Sequence, residues 1–288
     1  MGERVWTVKD ALEWTVAYFE REGVDSPRRS AEWLLSATTG LSRVEVYAFH
    51  ERPLSDNERQ TLRGGVKRRA AGEPLQYVTG EMPFRHIVVR VEPGVFIPRP
   101  ETEVLVDVAL ELIADVDEPV VLEMCSGSGC IACAIATERP SARVVATEIA
   151  PHSAGVARAN VERLGVTDRV TVLEGDLFAE VPLELRGRVD LVIANPPYIP
   201  SGDLPELPAE VLGFEPHLAL DGGPDGLDVV FRIAVEARPW LAPDGVLAME
   251  IDETCAKHAS EGLGEWYQEV RIVRDLAGRD RVVVGRRR

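Results

Sequence analysis

Apolar residues in the first quarter of the chain recur at the spacing of one helical face. One stripe consists of Val8, Leu12, Val16 and Phe19, and a second of Ala31, Leu34, Leu35 and Thr38. Further along, Ser55 is followed three residues later by Glu58, which is the pattern of a helix N-terminal capping box. We predict a small helical N-terminal domain over residues 1–72. No catalytic chemistry is visible in it.

The pattern changes at Glu73, after which prolines and glycines interrupt any long helix. Residues 87–91 form a short run typical of one arm of a β-hairpin. The segment ends in Pro98-Arg99-Pro100, directly before a helical stretch. We therefore predict a connector with a β-hairpin over residues 73–100. Its rigid position between two prolines favours Arg99 as a contact to cofactor or substrate.

Short apolar runs alternate with helical stretches through the remaining residues, 101–288. The predicted strands are Val120–Met124, Arg143–Thr147, Val170–Leu173, Leu191–Ala194, Val246–Ile251, Glu269–Arg274 and Arg281–Gly285. The predicted helices are Val104–Ala114, Cys130–Thr137, His152–Leu164 and Val229–Trp240. This alternation is typical of an α/β fold with a doubly wound, mostly parallel sheet, closed here by an antiparallel pair. We expect the long irregular stretch from Ile199 to Asp228 to be functional.

The composition is that of a globular protein with an acidic balance. The chain has 288 residues, of which 45% are hydrophobic and 28% charged, and its net charge is −16. A protein that mainly covers nucleic-acid phosphates needs a basic face, so this charge argues against stable nucleic-acid binding. No apolar run has the length of a membrane span, and the N-terminus lacks a signal-peptide pattern. We expect a cytoplasmic protein with no membrane partner.

Three of the four cysteines crowd one segment of the chain. Cys130 and Cys133 lie in a run of small residues, with no second pair of Cys or His nearby. This pattern favours small packing residues over a zinc site or a redox motif. We expect reduced thiols and no metal.

A buried strand ends abruptly at Asn195-Pro196-Pro197-Tyr198. Consecutive prolines cannot continue a central strand, so Asn195 lies at the carboxyl end of the strand on a stiff backbone. Ligands bind at that end in open α/β sheets. Asn-Pro alone would indicate a simple turn, but a rigid amide beside an aromatic ring suits a planar nitrogen substrate.

A glycine-containing loop, Glu123-Met-Cys-Ser-Gly-Ser-Gly129, separates the first strand of the alternation from its helix. Glycines there let the backbone approach a ligand and leave helix N–H groups free. Glu148 ends the second strand, where a carboxylate commonly binds ribose hydroxyls. Asp176, beside Leu177, follows the third strand and suits an adenine edge. The Walker and dinucleotide spacings are absent, so we predict a nucleoside pocket and exclude phosphoryl transfer.

The loop, Glu148 and Asn-Pro-Pro-Tyr together resemble class I methyltransferases that use S-adenosylmethionine. Longer segments are similar to HemK-type protein-(glutamine-N5) methyltransferases, which modify peptide-chain release factors. These segments are Glu73-Pro-Leu-Gln-Tyr77 with Gly80, Val95-Phe-Ile-Pro-Arg-Pro-Glu-Thr-Glu103, Asn195-Pro-Pro-Tyr-Ile199, Phe214-Glu-Pro216, Leu218-Ala-Leu-Asp-Gly-Gly-Pro-Asp-Gly-Leu227 and Asp275-Leu-Ala-Gly-Arg-Asp-Arg281. The resemblance spans nearly the whole chain.

The resemblance implies a seven-stranded class I sheet behind a helical domain that recognises the substrate. It implies methyl transfer from S-adenosylmethionine to the glutamine side-chain nitrogen of a Gly-Gly-Gln motif, with S-adenosylhomocysteine as product. The implied cofactor-binding residues are Glu123, Cys125, Ser126, Gly127, Ser128, Gly129, Glu148, Asp176, Leu177 and Asn195. The implied catalytic residues are Asn195, Pro196 and Tyr198, and Pro197 and Arg99 complete the substrate-binding set. We expect a monomer whose partner is a release factor.

The chain departs from the family pattern in two places. Glu123 and Cys125 stand where the family usually has Asp and the first Gly of its loop. Because Cys is small, we expect cofactor binding to survive if that position does not require a positive φ. The second departure, residues 251–255, changes local loop detail and has no chemistry assigned to it.

Three alternatives stay open from the sequence. An adenine-N6 nucleic-acid methyltransferase would use Asn-Pro-Pro-Tyr equally well, but it needs a basic recognition region. The chain offers only the short cluster between Arg63 and Arg69. A glutamine methyltransferase of a ribosomal protein is the second alternative. The third is a binding module that has lost turnover, which the altered loop supports and the intact Asn195 motif opposes.

Overall fold

The computed structural model describes residues 5–288, so residues 1–4 of the predicted helical domain lie outside the described residues. The chain divides into two compact units. The first contains the residues up to 81 together with 208–214, and the second contains 82–207 and 215–288. The limits at residues 72 and 100 stay a prediction, and the first unit extends past 72 to include a piece of the long irregular stretch.

The first unit is helical. Its helices, numbered in chain order, are α1 (Val8–Glu22), α2 (Pro27–Thr39), α3 (Arg43–Ala48), α4 (Asp56–Ala70), α5 (Leu75–Thr79) and, from the later segment, α9 (Ala209–Phe214). The predicted capping box is confirmed, because the Ser55 hydroxyl accepts from the Glu58 backbone N–H and the Glu58 side chain accepts from Ser55. Phe19 and Leu35 are fully buried in a core built from the apolar stripes. In the same unit, buried Arg69 pairs with Glu210 at 2.7 Å.

The second unit begins inside the first strand of a hairpin and continues as an alternating α/β domain. Strands β1 (Glu81–Phe84) and β2 (Ile87–Arg90) form a separate two-stranded sheet, which confirms the predicted hairpin. The remaining strands are β3 (Val120–Met124), β4 (Arg143–Glu148), β5 (Val170–Glu174), β6 (Val189–Ala194), β7 (Leu241–Glu250), β8 (Tyr267–Arg274) and β9 (Asp280–Arg287). The remaining helices are α6 (Glu103–Leu112), α7 (Cys130–Glu138), α8 (Pro151–Arg163), α10 (Asp228–Ala237) and α11 (Ala256–Leu263).

The seven long strands form one sheet in the order β5-β4-β3-β6-β7-β9-β8. Strands β3 to β7 pair in parallel, while β9 pairs antiparallel with β7 and β8. The predicted doubly wound sheet and its closing antiparallel pair are therefore confirmed. The prediction contained no element between β7 and β8, where the structure has α11.

The central strands are buried because the sheet lies between layers of helices. In β6, Leu191 to Ala194 have no exposed surface, and every residue of α7 from Cys130 to Ala136 is buried. Since β3 to β7 are parallel, their carboxyl ends share one edge of the sheet. Strand β4 lies on one side of β3 and strand β6 on the other, so the strand order reverses at β3. In such folds this reversal creates the crevice where ligands bind. No helix within residues 5–288 has the length and apolarity needed to span a membrane.

Candidate active site

Four polar residues predicted from the sequence lie along the carboxyl edge of four neighbouring strands. Asp176 follows β5, Glu148 ends β4, Glu123 lies one residue before the end of β3, and Asn195 follows β6. Neighbouring strands are about 4.8 Å apart, so these residues form a row across the crevice. The structure thus brings the predicted cofactor residues and the Asn195 motif to the same edge.

The glycine loop between β3 and α7 is held in left-handed backbone conformations. Cys125 has φ 57°, Gly127 has φ 53° and Gly129 has φ 75°. A Cβ at Gly129 would lie 3.1 Å from the Ala157 Cβ, so close packing as well as conformation favours glycine there. The condition attached to Cys125 is therefore not met, because this position does require a positive φ. A non-glycine residue in this conformation costs on the order of 1–2 kcal/mol.

Glu148 ties the end of β4 to the loop. Its carboxylate accepts the Gly127 N–H at 2.7 Å through Oε2 and the Ala150 N–H at 2.9 Å through Oε1. Burial raises the pKa of Glu148, and the backbone hydrogen bonds oppose that shift. Each carboxylate oxygen has a second lone pair, so both can still accept a hydrogen bond from a ligand hydroxyl.

Glu123 is completely buried beneath the loop. Its Oε2 accepts the Ala132 N–H at 3.0 Å, while its Oε1 has no hydrogen-bond partner within residues 5–288. Burial, followed by the charge of Glu148, raises the pKa of Glu123 to about 8. The buried Ser126 hydroxyl also has no partner in the described part of the chain. Buried polar atoms normally have partners, so these two atoms fit a polar ligand that contacts the loop.

Asp176 is already engaged by a neighbouring helix. Both of its oxygens accept from Arg232 of α10, at 2.9 and 2.8 Å, in a pair that is about half exposed. The next residue, Leu177, is buried and has φ 47°. The predicted contact of Asp176 to adenine stays a prediction, and Arg232 is a neighbour that the sequence did not reveal.

Asn195 is oriented by a residue that the sequence prediction left out. Its side-chain nitrogen, Nδ2, donates to the Thr102 hydroxyl at 3.2 Å. The following prolines, Pro196 and Pro197, are buried and hold the backbone rigid. Since the amide nitrogen is used by the protein, the amide oxygen Oδ1 is the group that can accept a hydrogen bond from a substrate.

Tyr198 also has an unpredicted partner. Its hydroxyl donates to Oε1 of Glu250 at 3.1 Å, and Glu250, the last residue of β7, is fully buried. Burial raises the pKa of Tyr198 above its usual range. The signal that could have revealed Glu250 is a carboxylate inside the apolar run Val-Leu-Ala-Met-Glu-Ile, because burying a charge without a partner is costly.

Arg99 lies in an ion pair rather than standing free for a substrate. Its guanidinium contacts Oε1 of Glu215 at 2.5 Å and lies 4.9 Å from the centre of the Phe96 ring. Glu215 is buried and also accepts the Ile97 N–H at 3.4 Å. The pair connects the Pro-Arg-Pro segment to the Phe-Glu-Pro segment. A substrate contact by Arg99 stays a prediction.

Two cysteines that follow the glycine loop are packing residues. Cys130 and Cys133 are buried in α7, and burial raises the pKa of Cys133 to about 12, so its thiol stays protonated. Within residues 5–288 no group of three or more His, Cys, Asp or Glu side chains is arranged to hold a metal ion.

A mostly parallel seven-stranded sheet, with acids on three adjacent strands and Asn-Pro-Pro-Tyr on the next, defines a class I methyltransferase. Residues 10–80 match the family described as the PrmC N-terminal domain, and residues 87–205 match the methyltransferase small domain. Among solved structures, the hMettl16 catalytic domain in complex with MAT2A 3′UTR hairpin 6 shares the fold. Its TM-score is 0.56 at 14% identity, and the match covers 82% of this chain and 84% of that one.

Similar proteins of known name place the chain in one family of class I methyltransferases. The release factor glutamine methyltransferase of Geobacter sulfurreducens is 42% identical over 287 residues, which cover 98% of this chain and 97% of that protein. The protein of the same name from Moorella thermoacetica is 41% identical over 286 residues, covering 98% and 99%. The chain belongs to the release factor glutamine methyltransferase family.

Proposed function

We propose that this protein transfers a methyl group from S-adenosylmethionine to the side-chain nitrogen of the glutamine in a release-factor Gly-Gly-Gln motif. The observation that carries the chemistry is the orientation of Asn195, whose Nδ2 is bound to Thr102 and whose oxygen remains as an acceptor. Membership of the family supports a release-factor glutamine as the substrate.

The loop and strand-end acids fit the cofactor that this reaction needs. Glu123 Oε1 and the Ser126 hydroxyl, which have no partner among the described residues, offer polar contacts, and Glu148 and Asp176 retain acceptor capacity for a nucleoside. When bound, S-adenosylmethionine supplies an electrophilic methyl group on a sulfonium. We propose that residues 123–129, Glu148, Asp176 and Leu177 hold it, with Asn195 at the boundary with the substrate.

Asn195 and Pro196 then position the glutamine. An amide nitrogen is a poor nucleophile because its lone pair is delocalised into the carbonyl. The Asn195 oxygen and the Pro196 carbonyl can each accept a hydrogen bond from the NH2 group of the glutamine. These bonds fix the nitrogen for attack on the methyl group and stabilise the positive charge that develops on it. Tyr198 packs against the plane of the amide, and the prolines limit reorganisation.

An adenine-N6 activity is the less favoured alternative. The net charge of −16 does not suit a protein that must cover phosphates. The short basic stretch on α4 is partly neutralised, since Arg68 pairs with Glu73 and Arg69 with Glu210. We further propose that the protein is cytoplasmic, monomeric and without a stable nucleic-acid partner. Light scattering with and without RNA would test the oligomeric state and the absence of RNA binding.

Incubation with labelled S-adenosylmethionine and a release factor tests the activity. Label should enter the parent release factor and not a version with Gln→Ala in the Gly-Gly-Gln motif. Label in nucleic acid, or equal label in both release factors, would refute the assignment.

The Asn195→Ala variant tests the mechanism. It should lower kcat about 100-fold or more while cofactor affinity, measured by calorimetry, changes little. Asn57→Ala, on the exposed surface of α4, is the matched control and should behave as the parent. Near-normal turnover in Asn195→Ala would contradict the mechanism.

A further inference from the structure

Glu250 is a buried carboxylate at the carboxyl end of β7, next to the strand that carries Asn195. It has no exposed surface, and β7 pairs directly with β6 through Ala194 and Met249. Burial is the largest influence on this side chain and raises its pKa to about 7. A carboxyl in such a place is costly unless it has partners that favour its charge.

Two hydroxyl groups serve as those partners. The Tyr198 hydroxyl donates to Oε1 of Glu250 at 3.1 Å, and interaction with the Thr102 hydroxyl lowers the pKa of Glu250. Thr102 in turn accepts from Asn195 Nδ2 at 3.2 Å. Asn195 is therefore hydrogen-bonded to Thr102, and the Thr102 and Tyr198 hydroxyl groups both interact with the Glu250 carboxyl.

Arg281 compensates the charge of Glu250. It is almost fully buried, donates to the carbonyl of Ile251 at 3.5 Å and lies 3.6 Å from Asp275. Its charge lowers the pKa of Glu250, whereas the charge of Glu101 raises it. One carboxyl thus connects three segments that are far apart in the chain: Pro-Glu-Thr, Asn-Pro-Pro-Tyr and Asp-Arg.

We propose that Glu250 is a positioning residue, which holds the Tyr198 ring and, through Thr102, the Asn195 amide in the orientation that presents the Asn195 oxygen to the substrate. This role rests on the proposed function, because it concerns the same site. Glu250 itself does not touch the reacting atoms.

The direction of the hydrogen bonds explains why a carboxylate is needed. A carboxylate only accepts, so it can bind both hydroxyl groups as donors. When the Thr102 hydroxyl donates a hydrogen bond to Glu250, its oxygen can only accept one from Asn195. The Asn195 amide nitrogen therefore faces Thr102, and the amide oxygen faces the substrate. A glutamine at position 250 has one accepting and one donating end. Its amide oxygen would accept from one hydroxyl group, whereas its NH2 group would face the other hydroxyl donor to donor.

The first test observes Asn195 without any reaction. The chain contains three asparagines, Asn57, Asn160 and Asn195, so labelling with 15N-asparagine yields three side-chain amide signals. Glu250→Gln should shift the Asn195 side-chain signals and speed their hydrogen exchange. The Asn160 amide, which donates to the Arg90 and Ser128 carbonyls at 2.9 Å each, is the internal control and should not change. Unchanged Asn195 signals would overturn the proposal.

The second test separates positioning from folding. Glu250→Gln and Thr102→Val should each lower kcat by about 10- to 100-fold, with cofactor affinity and melting temperature close to the parent. Thr102→Ser keeps the hydroxyl and should recover most of the rate. Met249→Leu, a buried neighbour in β7 outside the network, should keep the parent rate. Equal losses in Thr102→Val and Thr102→Ser, or in Glu250→Gln and Met249→Leu, would refute the role.

A double-variant cycle tests the link to Tyr198. Tyr198→Phe removes one of the two donors, so glutamine at 250 no longer faces more donors than it can accept. The fold-loss in kcat of the double variant Tyr198→Phe/Glu250→Gln should therefore be smaller than the product of the fold-losses of the two single variants. A double-variant loss equal to that product would overturn the coupling. If the parent fails to methylate a release factor, the proposed function fails. The Asn195 signals, which need no substrate, still decide whether Glu250 positions the amide.

Discussion

The buried Glu123 carboxyl makes the stability of this protein depend on pH in a direction opposite to that of most carboxylates. Its pKa lies at about 8, against an ordinary value of 4.5, because burial beneath the glycine loop penalises the charged form. The folded state therefore binds this proton more tightly than the unfolded chain. Its contribution to stability is fully present below about pH 4.5 and is lost as the pH rises through 8.

The magnitude follows from linkage. At 1.36 kcal/mol per pKa unit, the contribution of Glu123 changes by about 3 kcal/mol between roughly pH 5.5 and 8.5. Glu123→Gln removes this titration while its amide oxygen can still accept the Ala132 N–H. The unfolding free energy of the variant should therefore rise relative to that of the parent as the pH rises. This gap, the variant value minus the parent value, should increase by about 3 kcal/mol across the range.

Urea unfolding of the cofactor-free protein at constant ionic strength measures the gap. Far-UV circular dichroism follows both proteins, and carboxyl 13C signals of labelled glutamate report the titration of Glu123 directly. Glu118→Gln, in the exposed turn before β3, is the control and should run parallel to the parent. A constant gap between Glu123→Gln and the parent, or a Glu123 carboxyl that titrates near 4.5, would refute the reasoning.

Two further predictions concern the loop and the connector. At Cys125, φ 57° suits glycine, so Cys125→Gly should keep cofactor affinity in calorimetry, whereas the β-branched Cys125→Val should lower stability by about 2 kcal/mol and weaken binding. Equal binding by both variants would contradict this. Arg99→Ala removes the cation that faces the buried Glu215 carboxylate and should lower the unfolding free energy by about 3 kcal/mol in urea, with partial recovery in Arg99→Ala/Glu215→Gln. Unchanged stability in Arg99→Ala would show that the ion pair does not support the fold.

Much of the fold was predictable because a parallel sheet leaves a clear trace in a sequence. Val120–Met124 was predicted with the bounds that the structure has, since a strand buried on both faces is a continuous apolar run with turn residues at its ends. Helix α11 was missed because its apolar positions, Ala256, Ala259 and Leu263, are few and its run contains Gly262. The start of β7 was placed too late because Pro243 and Gly245 resemble a turn.

The site was predictable only where its residues share a short segment or end a predicted strand. Glu148 and Asn195 follow apolar runs, and parallel strands carry their ends to the same edge. Partners from distant segments leave no such trace. Arg99 and Glu215 are 116 residues apart, and nothing in either segment indicates that the other neutralises it. Only the folded chain brings such distant charged groups together.

Glu123 and Glu250 show how a sequence can nevertheless indicate such meetings. Both interrupt apolar strands near their carboxyl ends, and in the sheet order β3 and β7 lie on either side of β6, which leads into Asn195. Within residues 5–288, each carboxyl has one oxygen with no hydrogen-bond partner; the other oxygen accepts from the Ala132 backbone N–H in Glu123 and from the Tyr198 hydroxyl in Glu250. Since the interior tolerates a carboxyl only when something stabilises it, each acid indicates a group held against it: a ligand at the glycine loop for Glu123 and the Tyr198 hydroxyl for Glu250. A lone acid at the end of a predicted central strand is therefore itself evidence for a site.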